Sequence, residues 1–229
     1  MKGKSMADGR ALLLDCDGVI VHSEPLNFRC WNDAFAEIMG ITVDGNYTQI
    51  VGLDLERLYS HWCTKAGLRE NELSADTKKR LLSKKSELFI ERAPDQLERM
   101  PGIHKLIQTA KGRGIMVAVV SAALEKRLEF TLQSVGLLDT IDFIQPGETV
   151  LKKHNNFKDY RRAALELKAE PGRSLAVEDS ISGVQAALFG NIGMVYGLTT
   201  SYSRAQLLQA GSHKVFNSLE KIIDFVESW

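Results

Sequence analysis

Two aspartates separated by a single residue follow a short apolar run near the start of the chain. The run is 11–14, and Asp15, Asp17 and Gly18 come directly after it. Two carboxylates this close repel each other, so they share a pocket only where a positive charge offsets the repulsion. Mg²⁺ prefers oxygen ligands and is often held by one or two carboxylates together with substrate phosphate. The pattern therefore indicates an acidic, metal-binding site at the end of a strand.

Three further groups of chemically active residues follow later apolar runs. They are Ser121 with Ala122, the basic cluster 152–154, and the acidic pair Glu178 with Asp179. Carboxylates for Mg²⁺, a serine hydroxyl and a lysine ammonium together suit the binding of phosphoryl groups. Each group also has a common structural role, since serines cap helices and acidic pairs favour helix N-termini. Their shared position at strand ends, where open parallel sheets bind ligands, favours the functional interpretation.

The elements that must position these residues alternate along the chain. Apolar runs of strand length occupy 11–14, 115–120, 141–144, 174–177, 192–196 and 214–216. Helical periodicity occupies 103–111, 124–135, 157–167 and 181–188. This alternation predicts an α/β fold with a parallel sheet and crossover helices. The apolar runs are nearly continuous, as expected for strands that are covered on both faces.

One long interval interrupts the alternation. About a hundred residues separate the first run from the second, far more than the dozen or so that a crossover requires. Helical patterns fill it at 26–39, at 54–66 and from 74 or 76 to 92. We therefore predict a helical domain, 23–94, inserted into a core formed by 1–22 and 95–229.

Composition excludes several classes of partner. The 229 residues amount to about one and a half domains. With 29 basic and 29 acidic residues the formal charge is zero, so no global field attracts nucleic acid or an anionic membrane. No apolar run approaches the roughly 20 residues that span a bilayer. Three cysteines without metal or disulfide spacing indicate reduced thiols and a cytoplasmic location. We expect a monomer.

Three segments of the sequence resemble a known family. The segments LLLDCDGVIVHSE, VVSAA and LAVEDSISG, in this order and with a helical insertion after the first, are similar to the motifs of the haloacid dehalogenase superfamily. They resemble its branch of phosphatases and β-phosphoglucomutases, over nearly the whole chain. The resemblance implies a Rossmann-like core with a mobile helical cap. It also implies Mg²⁺-dependent phosphoryl transfer through an aspartyl phosphate.

The same resemblance implies roles for the motif residues. Asp15 becomes the nucleophile, and Asp17 becomes the general acid and base. Ser121 and the Ala122 N–H would hold phosphate oxygens. The metal ligands would be a carboxylate oxygen of Asp15, the main-chain carbonyl of Asp17, Asp179 and, directly or through a neighbour, Glu178.

The chain departs from the family pattern at the lysine. The family usually carries Gly-Lys-Pro before the third crossover helix, whereas this chain has Lys152-Lys153-His154-Asn155-Asn156. Spacing places either Lys153 or His154 at the position of the lysine. We predict Lys153, with Lys152 and Lys158 as fallbacks, because a permanently charged ammonium suits both phosphate and the Asp15 carboxylate.

Other departures concern the reaction. Asn27 and Leu55 stand where β-phosphoglucomutases usually have a histidine and an arginine, so hydrolysis is favoured. We predict a phosphatase acting on a small phosphorylated metabolite, a sugar or polyol phosphate. The alternatives are a phosphosugar mutase and a catalytically silent phosphate-binding protein, which the altered lysine region leaves open. A haloacid dehalogenase is disfavoured because it normally lacks the second aspartate, Asp17.

The inserted domain is predicted to select the substrate. A cap of this kind would exclude bulk water while leaving one attacking water. Asn27, Gln49 and Asp54 are polar cap positions that we predict to contact the leaving group.

Overall fold

We describe the protein from a computed structural model that covers 9–45, 47–49, 55–69, 74–123, 125–147 and 158–229. At residues 48, 55, 56 and 58 it describes the backbone alone. The chain forms two compact units, one of Met1–His22 with Arg99–Trp229 and one of Ser23–Glu98.

The strands of the described residues belong to two sheets. In chain order they are β1 Ala11–Leu14, β2 Val21–His22, β3 Glu98–Arg99, β4 Met116–Val120, β5 Phe143–Gln145, β6 Leu175–Glu178, β7 Met194–Leu198 and β8 Lys214–Phe216. The larger sheet has the order β5-β4-β1-β6-β7-β8, and every neighbouring pair in it is parallel. The strands β2 and β3 form a separate pair. The predicted α/β fold with a parallel sheet is confirmed.

Strand register brings the chemically active segments to one edge of the sheet. Leu14 at the end of β1 lies opposite Val119 of β4 and Val177 of β6. Because the three strands are parallel and in this register, their carboxyl ends deliver Asp15, Ser121 and Glu178 side by side.

The described helices lie around the sheet and in the second unit. In chain order they are α1 Glu24–Met39, α2 Leu55–Lys65, α3 Ala75–Gln96, α4 Ile103–Gly112, α5 Glu125–Ser134, α6 Tyr160–Glu166, α7 Ile181–Phe189, α8 Arg204–Gln209 and α9 Glu220–Ser228. Short 3₁₀ turns occupy Tyr47–Gln49, Leu138–Thr140 and Pro171–Arg173. No described helix has both the length and the apolar character needed to cross a lipid bilayer.

The core on one sheet face follows from the alternation of side chains along the strands. Alternate strand residues such as Leu13, Val120 and Ala176 point to this face and are fully buried. The face of α6 that carries Tyr160 and Ala163 packs against them. This helix begins at an N-cap, where the Asp159 side chain accepts a hydrogen bond from the Arg162 N–H.

The second unit has an aromatic core between its helices. Trp31 of α1 and Trp62 of α2 are fully buried, with ring centroids 5.8 Å apart. On the side of α1 that faces α3, Arg92 pairs with Asp33. The insertion was expected to end at Pro94, but α3 continues through this proline to Gln96. The unit accordingly ends at Glu98, four residues beyond the predicted limit.

Candidate active site

Asp15 lies at the carboxyl end of β1, in a buried position. Its backbone N–H donates to the Val177 carbonyl at 3.1 Å, which ties it to the neighbouring strand β6. Its Oδ1 lies 2.9 Å from the ammonium nitrogen of Lys158. Burial raises the pKa of Asp15 well above its ordinary value, the charge of Glu178 adds to the rise, and Lys158 opposes it. A carboxylate in this position is held firmly and has little access to water.

Glu178 is the last residue of β6 and is fully buried. Its Oε1 accepts hydrogen bonds from Lys158 at 2.6 Å and from the Tyr160 hydroxyl at 2.8 Å. Its Oε2 accepts from the N–H groups of Asp179 at 3.1 Å and Ser180 at 3.0 Å, and from the Ser180 hydroxyl at 2.9 Å. Five donors on one carboxylate fix its orientation, so Glu178 anchors the residues around it.

Asp179 follows directly and is nearly as buried. Its Oδ2 accepts a hydrogen bond from the Ser201 hydroxyl and lies 3.1 Å from the Thr200 hydroxyl. The Thr200 hydroxyl also donates to the Gly18 carbonyl at 2.8 Å, which connects the turn after β1 to the segment after β7. Burial, followed by the charge of Glu178, raises the pKa of Asp179 to about 7.

Two glycines leave the space that these carboxylates fill. A Cβ added at Gly183 would overlap the Glu178 carboxylate, and one added at Gly18 would overlap that of Asp179. Gly18 also has a φ of +83°, a left-handed conformation that disfavours other residues. The turn after Asp17 and the first turn of α7 therefore require glycine for the site to form.

Lys158 provides the ammonium group of the cluster. Its side chain is 13% exposed and its Nζ contacts both Asp15 and Glu178. Burial by itself lowers the pKa of an ammonium, but the carboxylates of Asp15 and Glu178 outweigh this and raise the pKa of Lys158 above its ordinary value. The favoured Lys153, and with it Lys152 and His154, lies outside the described residues. Among the candidates that the structure describes, Lys158 contacts the predicted nucleophile.

Three of the predicted metal ligands lie together. Asp15, Glu178 and Asp179 each offer a carboxylate oxygen, and these atoms lie within 4.8 Å of one another. Within the described part of the chain, Lys158 is the basic residue in ion-pair contact with them. Burial first, and then the charge of Glu178, raises the pKa of Asp179, as expected for carboxylates that lie close together away from water. An all-oxygen, strongly acidic and buried set fits a hard divalent cation.

Asp17 lies in a different environment from this cluster. Its side chain is 29% exposed, and the Arg127 Nη2 lies 3.3 Å from Oδ1 and 3.4 Å from Oδ2. The cluster of three carboxylates does not include it. This agrees with a ligand role through its main-chain carbonyl alone, which stays a prediction. The side chain of Asp17 is therefore partly open to solvent beside Arg127.

Ser121 and Ala122 follow β4 in a sharp turn. Ser121 is buried, and its N–H donates to the Gln145 carbonyl at 3.0 Å. Its hydroxyl oxygen accepts a hydrogen bond from the Ala123 N–H at 3.1 Å, so its free proton can be donated elsewhere. Ala122 is exposed. The strand register places this turn beside Asp15, and their binding of phosphate stays a prediction.

The predicted substrate residues of the second unit are only partly described. Asn27 is 8% exposed, and its Oδ1 accepts a hydrogen bond from the Lys85 ammonium at 2.7 Å. Gln49 is exposed at the end of a 3₁₀ turn. Asp54 lies outside the described residues. Their contact with a substrate stays a prediction.

Several residues of the site were not found from the sequence. They are Arg127, Tyr160, Thr200 and Ser201, all in the first unit. Thr200 and Ser201 follow β7, so the rule that ligands bind at strand ends was a usable signal for them. The contact of Arg127 with Asp17 joins positions 110 residues apart and left no local signal.

The parallel sheet, the aspartates after β1 and the acidic pair after β6 define a class of hydrolases. The sequence profile of the haloacid dehalogenase-like hydrolases matches residues 12–196. The chain belongs to this family. The predicted family and the predicted class of enzyme, a phosphoric monoester hydrolase, are confirmed.

Relatives of known name are similar over most of the chain. A phosphorylated carbohydrates phosphatase of Thermotoga maritima is 24% identical over 220 residues, which cover 93% of this chain and 99% of that protein. Hexitol phosphatase B of Escherichia coli is 24% identical over 178 residues, covering 77% of this chain and 78% of that protein. The crystal structure of β-phosphoglucomutase from Clostridium difficile superposes with a TM-score of 0.71 at 17% identity, covering 95% and 96% of the two chains. This last likeness shows the shared fold.

Proposed function

We propose that this protein is a Mg²⁺-dependent phosphatase that hydrolyses a sugar or polyol phosphate through an aspartyl phosphate on Asp15. The observation that carries the proposal is the contact of the buried Asp15 with Lys158 inside the acidic cluster. A carboxylate accompanied by a fixed ammonium and a cation site suits attack on a dianionic phosphate. Because the chain has no net charge, charges at the site itself would have to attract the substrate, which suits a single small phosphate.

The acidic cluster would hold the metal. Asp15 and Asp179 would bind Mg²⁺ with carboxylate oxygens, Glu178 would bind it or orient its neighbours, and Asp17 would add its main-chain carbonyl. When bound, Mg²⁺ would neutralise the charge between nucleophile and phosphate and polarise the phosphoryl oxygens. The cluster's own excess of carboxylates supports this assignment.

The protein's residues divide the phosphoryl transfer between them. An Asp15 oxygen would form a bond to phosphorus while the ester P–O bond breaks and its electron pair goes to the leaving oxygen. Asp17 would give that oxygen a proton, so that an alcohol departs. Lys158, the Ser121 hydroxyl and the Ala122 N–H would hold phosphoryl oxygens during the transfer.

The second half of the reaction would regenerate the carboxylates. A water molecule would attack phosphorus and lose its proton to Asp17. The bond between Asp15 and phosphorus would then break with its electron pair on the Asp15 oxygen, which releases inorganic phosphate. Both carboxylates return to their starting states.

The substrate class is supported by the relatives. The two phosphatases reported above are named for phosphorylated carbohydrates and for hexitols. We extend this class of substrate to the present chain, which we also expect to be a cytoplasmic monomer.

The test is a panel of sugar, polyol and short-chain acid phosphates, in which phosphate release is followed with Mg²⁺ and with EDTA. We expect release with Mg²⁺ from at least one sugar or polyol phosphate, and none with EDTA or with Asp15→Asn. Release that persists in EDTA or in that variant contradicts the mechanism. Interconversion of hexose phosphates without release would identify a mutase, and binding without turnover a silent protein.

A further inference from the structure

Arg127 lies across the carboxylate of the predicted acid and base. It is the third residue of α5, and its Nη2 is 3.3 Å from Oδ1 and 3.4 Å from Oδ2 of Asp17. The near-equal distances place the guanidinium nitrogen between the two oxygens. Such a contact resists rotation of the carboxylate about its Cβ–Cγ bond, because rotation lengthens at least one of the two distances from Nη2 to the carboxylate oxygens.

The position of Asp17 makes this contact consequential. The Asp15 side chain is 4% exposed and that of Asp17 is 29% exposed. A carboxylate that water reaches has rotamers available to it that a buried one does not. Proton transfer requires the carboxyl oxygen within hydrogen-bond reach of the leaving oxygen, so loss of orientation lowers the rate.

We infer that Arg127 is a positioning residue, which holds the Asp17 carboxyl in the orientation that protonates the leaving group. The inference rests on the proposed function and deepens it. In the transfer, the ester P–O bond breaks, its electron pair goes to the leaving oxygen, and the Asp17 proton moves to that oxygen. Arg127 itself forms and breaks no covalent bond.

This role predicts an effect that depends on the leaving group. A sugar or polyol alkoxide is a poor leaving group and needs the proton as the bond breaks. The p-nitrophenolate ion leaves without a proton near neutral pH. The parameter kcat/KM covers the steps up to formation of the aspartyl phosphate, so it isolates the step in which Asp17 is the acid.

The experiment compares Arg127→Ala with wild type on glucose 6-phosphate or whichever sugar or polyol phosphate wild type turns over best, and on p-nitrophenyl phosphate. We expect kcat/KM to fall about tenfold to a hundredfold for the sugar phosphate, a part of what acid catalysis supplies. We expect it to fall less than about threefold for the aryl phosphate. Arg127→Lys keeps the charge without the planar fork, and should recover part of the loss.

Lys126→Ala is the matched control, since it removes one positive charge from the neighbouring, exposed position of α5. It should leave both substrates unaffected. Thermal unfolding of each variant separates loss of activity from loss of fold.

Four results overturn the inference. These are equal losses on both substrates, no loss on either, equal losses in the Lys126 control, and a rise of KM with kcat unchanged. The last would make Arg127 a direct substrate contact. If wild type hydrolyses neither substrate class, the proposed function itself fails, and the inference with it.

Discussion

The first unit contains two carboxylate environments two residues apart. Asp15 belongs to a buried cluster in which Glu178 accepts five hydrogen bonds and Lys158 bridges two acids. Asp17 lies at the partly exposed edge of this site, beside Arg127. In the proposed mechanism the buried Asp15 would present one geometry to phosphorus, whereas the more exposed Asp17 would exchange protons with substrate and water. The difference shows how one short turn can supply two chemical roles.

The largest effect should come from Asp15, the proposed nucleophile. Asp15→Asn is nearly isosteric, but an amide does not attack phosphorus. We expect kcat to fall by roughly 10⁴-fold or more, as for other nucleophiles whose removal abolishes covalent catalysis. Phosphate release in Mg²⁺ measures this, and incubation with labelled substrate followed by acid quench should show no phosphoprotein. Formation of phosphoprotein by Asp15→Asn would show that another residue is the nucleophile and would contradict the role given to Asp15.

Lys158 should rank second. Replacement by methionine keeps much of the apolar stem but removes the ammonium between Asp15 and Glu178. We expect kcat/KM to fall by about 10²-fold to 10³-fold, the scale for loss of one charged group that stabilises a transition state. Lys153→Ala is the matched test of the other lysine and should stay within about twofold of wild type. The opposite ranking of the two variants would restore the assignment to Lys153.

Glu178 should affect stability as well as activity. Oε1 of Glu178 accepts two hydrogen bonds and Oε2 accepts three. In Glu178→Gln an amide NH₂, which donates, replaces one of these oxygens, so at least two donors lose their acceptor. We expect the free energy of unfolding to fall by about 3 kcal/mol and Mg²⁺ affinity to fall about tenfold to a hundredfold.

Urea denaturation and calorimetric titration with Mg²⁺ measure the two quantities, and Glu125→Gln on exposed α5 is the control. An unchanged unfolding midpoint would show that the cluster gains as much from lost repulsion as it loses in hydrogen bonds.

The pH dependence of stability should give the smallest effect. The pKa of Asp179 rises from 3.8 to about 7 on folding, so between these values the folded state binds the proton that the unfolded state has lost. The free energy of unfolding without metal should therefore fall as pH rises from about 4 to about 7, and level off above.

Melting temperatures in EDTA measure this, and Asp179→Asn should remove the contribution of Asp179 while leaving that of Asp15, whose pKa is also raised by burial. Mg²⁺ should raise the melting temperature more at pH 8 than at pH 5, because it binds the ionised carboxylates. A melting temperature that rises from pH 5 to pH 7 in EDTA would contradict the assignment of a raised pKa.

Sequence patterns predicted the elements of the fold that are marked by apolar runs or by helical periodicity along the chain. The strands 11–14 and 214–216 occur with the predicted bounds, because each is a short, mainly apolar run that is flanked by polar residues or glycine. Two helices were not predicted. The six-residue α8 is too short for a periodic pattern, although Ser203 and Gln206 form a capping box, and α9 carries the spacing of Ile222, Ile223 and Val226.

The site was predictable to the same extent. Asp15, Glu178 and Asp179 were found because strand ends of a parallel sheet converge, which spacing along the chain can reveal. Lys158 was named only as a fallback to Lys153, because spacing along the chain did not decide which lysine reaches Asp15. The structure shows the contact of Lys158 with Asp15, whereas Lys153 lies outside the described residues and its assignment stays a prediction. The contact between Arg127 and Asp17 depends on how α5 packs, which the sequence of neither segment specifies.

The hydrogen bond from Thr200 to the Gly18 carbonyl joins residues 182 positions apart. Contacts of such sequence separation form late, because a long loop must close before they are gained. A chain that has emerged from the ribosome only as far as Asp179 contains both aspartates after β1 and the acidic pair, yet lacks the hydroxyls of Thr200 and Ser201 that hold Asp179 in place. The hydrogen bonds that fix Asp179 should therefore be complete only after Ser201 has been synthesised.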